Sequence, residues 1–132
     1  MRLWHQKLIS GLPRGQLLGQ HRECCALRGK GWGRKHSTVN YVFNYSLERL
    51  VAFHLLVMKE MEKRGYNVSE QWFNPRYRGK NLGSDLTINP DHVREIGELP
   101  GVIYPEHNRQ YLKECLRNLQ EKGVVCCYFG GG

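Results

Sequence analysis

The sequence predicts an all-α fold, a single compact domain of about three main helices with long loops. Two stretches, 46–64 and 105–122, repeat apolar residues at three- and four-residue spacing. A third, 13–27, lies between a proline suited to a first helical turn and a glycine, Gly29, suited to a helix end. Only 38–43 alternates, and loosely, so it reads as a short extended segment or the lead-in to a helix. With 132 residues, 40% of them hydrophobic, there is material for one core spanning 1–132. Such a core needs no disulfide or metal staple. No run of about 18 apolar residues exists, which excludes a membrane span, and Met1-Arg2-Leu3-Trp4-His5 lacks the apolar stretch of a signal peptide. The expected location is the cytoplasm.

In the first helix Leu17, Leu18, His21, Cys24 and Cys25 form an apolar stripe, while Gln16, Gly19, Gln20 and Glu23 share another face. A mid-helix glycine costs about 1 kcal/mol relative to alanine. Gly19 therefore marks either a close approach just above the Glu23 carboxylate or helix–helix packing. Gly29-Lys30-Gly31-Trp32-Gly33-Arg34-Lys35-His36 follows as a loop whose glycines would let backbone approach phosphates beside cations, although its spacing matches no nucleotide-binding motif. The 46–64 helix carries Leu47, Leu50, Val51, His54, Val57, Met58 and Met61 inward, with Ser46 as N-cap and Gly65 as stop. His54 reads as a packed core histidine rather than a ligand. Residues 67–103 are a long loop region in which Trp72 to Lys80 interleaves aromatics with cations. That mixture suits base stacking with phosphate contact, or aromatics covering the core. Asn89-Pro90-Asp91 starts a short helix to Ile96, and 105–122 turns Tyr111, Leu112, Cys115 and Leu119 inward. The apolar tail 124–129 is expected to pack back on the body.

Five cysteines, Cys24, Cys25, Cys115, Cys126 and Cys127, show no C-x-x-C pair and no zinc-finger spacing, so they read as reduced, mostly buried thiols. The charge is more telling. Residues 1–47 hold eight basic side chains against one acid, Glu23, a net of +7 out of +8 for the whole chain. Concentrated positive charge suits a polyanion, because neutralised phosphates release counterions. A solvated basic face without a specific partner is the alternative. Glu23 adjoins Arg22, and the nearby cations are expected to lower its pKa. A carboxylate kept ionised beside DNA suits stabilisation of a cationic sugar intermediate; its bland counterpart is an ion pair with Arg22 or Arg28.

The run Gln16-Leu17-Leu18-Gly19-Gln20-His21-Arg22-Glu23 resembles the catalytic helix of the pyrimidine-dimer DNA glycosylase/abasic-site lyase family, with the Arg-Glu pair at the same distance from the N-terminus. Leu47-Glu48-Arg49-Leu50 and Glu62-Lys63-Arg64-Gly65-Tyr66-Asn67-Val68 are similar to the family's second helix, and Met1-Arg2-Leu3-Trp4 to the opening of bacterial members. The resemblance implies an all-α protein that binds duplex DNA and flips a nucleotide out of the stack. It also implies that the main-chain α-amine attacks C1′ to form a Schiff base, assisted by the glutamate, with strand scission by β-elimination. An α-amine of reference pKa about 7.7 to 8.0 is partly unprotonated at neutral pH, unlike lysine at about 10.4.

On this resemblance the catalytic candidates are Glu23, Met1 as bearer of the nucleophilic amine, and Arg22. The DNA-binding candidates are Arg2, Arg14, Gln16, Gln20, Arg28, Lys30, Arg34, Lys35 and His36. Three residues past the glutamate the family has another arginine. This chain has Ala26, with Arg28 as nearest substitute. Arg2 is bulky enough to leave Met1 in place, and the terminus is expected to add little to the 46–64 core. No metal or organic cofactor is expected. The partner is double-stranded DNA containing damaged pyrimidines or abasic sites, bound by a monomer. The competing readings are a non-catalytic DNA- or RNA-binding module on the same scaffold and a small protein whose basic loop meets an acidic protein partner.

Overall fold

The computed structural model describes residues 2–34 and 39–126. A 3-10 turn, Gln6–Gly11, leads into α1 (Arg14–Arg28); a second, Asn40–Asn44, precedes α2 (Leu47–Lys63); a third, Glu70–Phe73, precedes α3 (Pro90–Glu98) and α4 (Arg109–Glu121). The fold is all-α. Among the described residues the only extended pairing is the isolated antiparallel bridge between Tyr77 and Ser84. None of the described helices is long and apolar enough to cross a membrane.

Local chemistry sets the ends of α1 as anticipated. Pro13 precedes its first residue, and the Gly29 N–H donates to the carbonyls of Cys25 and Ala26. The chain then folds back on the helix, the Gly31 N–H donating to the Ala26 carbonyl at 2.9 Å. A Cβ on Gly31 would lie 2.7 Å from that oxygen, so only glycine fits. The glycine at 31 thus serves an approach to the helix's own last turn, where the sequence had pointed to phosphate. Residues 40–44 form a 3-10 lead-in to α2 rather than a strand.

The central element is α2, packed against α1, α3 and the first 3-10 turn. Its buried set is Leu50, Val51, Ala52, Phe53, His54, Val57, Met58 and Met61. That face is broader than the expected stripe because partners approach from several sides. Gly65 adopts φ 81° and ends the helix as predicted. The N-terminal segment joins the same core: Leu3 and Leu8 are 0% exposed and Trp4 7%. Burying a leucine contributes about 1.5–3 kcal/mol, so the expectation that this segment adds little is corrected.

At α3 the Asn89 side chain accepts from the backbone N–H of Asp91 and His92, with Pro90 in the first turn. The last helix begins at Arg109 rather than 105. Asn108 Oδ1 accepts the Tyr111 N–H at 2.9 Å and supplies the cap, while the preceding turn buries Tyr104 and His107. Cys115 and Leu119 face the core, with Tyr111 and Leu112 half-buried. In the tail Val124 packs on the core but Val125 is 81% exposed, and 127–132 lie outside the described residues.

Candidate active site

The buried face of α1 comprises Leu17, Gln20, Cys24, Leu27 and Arg28. Two polar side chains thus occupy core positions that the expected stripe assigned elsewhere, and each organises one end of the site. At the N-terminal end residues 2–5 run alongside the helix. The Arg2 backbone N–H donates to Glu23 Oε2 at 3.3 Å, and Gln20 Nε2 donates to the same oxygen at 3.2 Å. Both bonds fall on Oε2; among the described residues Oε1 has no hydrogen-bond partner. Gln20 also bonds the chain on both sides of Leu3: Nε2 to the Arg2 carbonyl at 2.9 Å, and Oε1 from the Trp4 N–H at 2.6 Å. From α4, Tyr111 Oη donates to the Leu3 carbonyl.

The Glu23 carboxyl is pushed up from its ordinary pKa, mainly by burial, against the lowering effects of the Arg2 N–H, Arg22 and Lys122. This reverses the sequence expectation. Neighbouring cations do stabilise the anion, but the packed N-terminal segment removes water that would stabilise it more. A carboxylate with a raised pKa can hold or move a proton as well as stabilise positive charge. Lys122, just past α4, was missed in the sequence, since nothing there links a residue so far along the chain to Glu23.

Arg22 is exposed, and its guanidinium lies over Gly19: a Cβ there would sit 3.8 Å from Nη2. That is ordinary van der Waals distance, so among the described residues no close approach demands a glycine here. Arg2 is half-buried, its guanidinium 5.8 Å from the ring centroids of both Trp4 and Tyr111, so its side chain packs on the body. Arg14 is exposed against the Tyr66 ring, and Gln16 is half-exposed. Gln20, expected to face DNA, is only 1% exposed and bonded inward. Lys30 and Arg34 are exposed. Met1, Lys35 and His36 lie outside the described residues.

Arg28, proposed from sequence as a DNA contact and a substitute for a family arginine, is fully buried instead. It donates to the carbonyls of Trp72, Asn74 and Tyr77, each at 2.9 Å, and to His54 Nδ1 at 3.0 Å. Its pKa is lowered to about 10, mainly by burial. The Trp72 ring lies 5.1 Å from this guanidinium and packs near His54 and Tyr77, so it covers the core. Lys30, Arg78 and Lys80 border a groove of about 330 Å³ that also includes Cys25, Ala26 and Trp72. Ala26 follows Arg22 by about one helical turn on α1.

His21, Cys25 and His54 bring three ligand atoms within 4.8 Å of one another. Their proton arrangement opposes a metal. Arg28 can only donate, so His54 Nδ1 accepts, its proton resides on Nε2, and that N–H points at His21 Nδ1, 2.8 Å away. A metal-bound histidine directs its other N–H at an acceptor; here the second nitrogen faces a guanidinium. The Cys25 thiol is pushed up to about 11, chiefly by burial, which disfavours the thiolate.

No curated protein and no solved structure matches the chain. The family model described as pyrimidine dimer DNA glycosylase matches residues 1–74, a span that contains the N-terminal segment, Gln20, Arg22, Glu23 and Arg28. The chain belongs to the pyrimidine dimer DNA glycosylase family.

Proposed function

We propose that this protein excises pyrimidine dimers through an N-terminal-amine Schiff base and then cleaves the strand as an abasic-site lyase. The observation that carries the reading is the contact between the Arg2 N–H and Glu23 Oε2. Consecutive Cα atoms are about 3.8 Å apart, so the α-amine of Met1 belongs to the residue next to a nitrogen that already touches the carboxylate. A carboxyl and an amine so connected can address one C1′ atom.

In the proposed reaction the unprotonated amine forms a bond to C1′ as the glycosidic bond breaks, and its electron pair leaves with the base. Ring opening at C1′–O4′ gives the imine. Glu23, whose Oε1 has no partner among the described residues, transfers protons to and from the sugar and stabilises positive charge that develops on it. Loss of a C2′ proton then expels the 3′ phosphate by β-elimination. Arg22 contacts DNA near the lesion, and Lys30 and Arg34 grip phosphates, with Lys80 across the groove as a further cation. Extrusion of the nucleotide is needed because C1′ is shielded within a stacked duplex, and a distorted dimer costs less to extrude.

The test is incision of a duplex carrying one pyrimidine dimer beside its undamaged counterpart. The proposal expects cleavage at the dimer alone. Tight binding of both duplexes with no incision would replace it with a non-catalytic DNA-binding module.

A further inference from the structure

The α-amine and the carboxylate can act on one carbon only if the N-terminal segment stays in register with α1. One buried side chain bridges the two. Gln20 is 1% exposed, and its carboxamide makes three hydrogen bonds: Oε1 from the Trp4 N–H at 2.6 Å, and Nε2 to the Arg2 carbonyl at 2.9 Å and to Glu23 Oε2 at 3.2 Å. The first two pair the side chain with backbone on both sides of Leu3, as a neighbouring strand would; the third ties that pairing to the carboxylate. The amide orientation follows from its partners. Two acceptors face the NH₂ group and one donor faces the oxygen, so a flipped amide would set like against like.

We infer that Gln20 is the positioning residue that locks the N-terminal segment to Glu23. This rests on the function proposed above. Gln20 does not touch the reacting atoms; it acts through the backbone of residues 2–4 and through Glu23 Oε2. Among the described residues the other groups that act on Glu23 are the Arg2 N–H, the Arg22 guanidinium and the Lys122 ammonium. The Arg2 N–H ties the segment to the carboxylate directly, and among the described residues Gln20 is the one side chain that bonds both the carboxylate and the backbone of residues 2–4. Other features hold the segment without touching the carboxylate, as in the bond from Tyr111 to the Leu3 carbonyl.

The experiment uses two variants of the full chain, Gln20→Met and Gln20→Glu. Methionine keeps the approximate shape and loses all three bonds. Glutamate keeps an acceptor for Trp4 but sets a second carboxyl against Glu23 and the Arg2 carbonyl. Three readouts are compared with wild type: the borohydride trapping rate on an abasic duplex, the Kd for that duplex, and the titration of the Glu23 carboxyl followed by ¹³C NMR. Trapping should slow by about tenfold to a hundredfold, the loss expected for misplacement of the reacting groups by about 1 Å. Kd should stay within about threefold. The Glu23 titration should move up in both variants, and more in Gln20→Glu, where two carboxyls share one proton.

If Gln20→Met does not fold, the near-isosteric Gln20→Glu decides. A Gln20→Glu protein with wild-type trapping and an unmoved Glu23 titration overturns the inference. So does a variant that is merely less stable while its folded fraction traps at the wild-type rate. A wild-type protein that forms no imine refutes the proposed function instead, and the Glu23 titration then decides the positioning role alone.

Discussion

Replacing Arg28 with methionine removes a buried cation that ties the loop after the third 3-10 turn to α1 and α2. Its guanidinium makes three carbonyl bonds at 2.9 Å and one to His54 at 3.0 Å. Hydrogen bonds to charged groups contribute about 1.5–3 kcal/mol each, so even the low end gives about 6 kcal/mol. Against this stands desolvation. The lowering of the Arg28 pKa from 12.5 to about 10 corresponds to roughly 3.5 kcal/mol at about 1.4 kcal/mol per unit, and Nε is buried without a partner among the described residues. The low end of the bonds thus leaves about 2.5 kcal/mol, and the range for breaking a buried charged network is about 3–5 kcal/mol. At a few degrees per kcal/mol this lowers Tm by about 10 °C or more. Thermal and urea unfolding read the global loss, and amide exchange at residues 72–78 reads the local one. Arg28→Lys should rescue little, since one ammonium does not span the carbonyls of Trp72 to Tyr77 and His54 together. A methionine variant within about 2 °C of wild type would refute this assignment of Arg28.

Three further outcomes are expected. Glu23→Gln should reduce incision by at least about a hundredfold while duplex affinity, measured by fluorescence anisotropy, holds or tightens, because an anion leaves a basic surface. Since burial raises the Glu23 carboxyl, the acid limb of the wild-type pH–rate profile should lie above the reference value of 4.5. Stability should also fall in acid. Burial lowers the pKa of His54, and that of His107 to about 3, with His5 and His21 shifted the same way. The unfolded chain, with histidines near 6.5, therefore binds protons first as pH drops. The stabilisation is complete above about pH 6.5 and declines below it, by about 1.4 kcal/mol for each fully neutral buried histidine at pH 5.5. A urea midpoint unchanged between pH 7.5 and 5.5 would contradict this.

Helix ends were readable wherever the signal is local. Pro13 and Gly29, Gly65, and Asn89-Pro90 mark their helix ends because caps and stops act within one turn, whereas Ser46 stands at the N-cap position of α2 without a side-chain capping bond. The start of α4 was misread at Pro105 because a permitted first-turn proline competes in sequence with the Asn108 cap, and only packing of Tyr104 and His107 separates them. The Arg22-Glu23 pair was visible from its register and its charge contrast. The roles of Gln20 and Arg28 were not visible. Both are polar residues buried on α1, and their partners lie as far away as Trp4 and Tyr77. The direction of the Glu23 shift was misjudged for the same reason, since sequence neighbours reveal charge but not the loss of water.

The central claim is that the chain's own α-amine is the nucleophile beside Glu23. Borohydride reduction on an abasic duplex, followed by mass spectrometry of the cross-linked peptide, tests it most directly. The untagged protein should give a covalent adduct on the α-nitrogen of Met1. N-terminal acetylation should abolish that adduct while DNA binding, which rests on several other cations, largely survives. Undiminished trapping by protein acetylated completely at the N-terminus alone, with the adduct on Lys7, Lys30 or Lys35, would contradict the assignment.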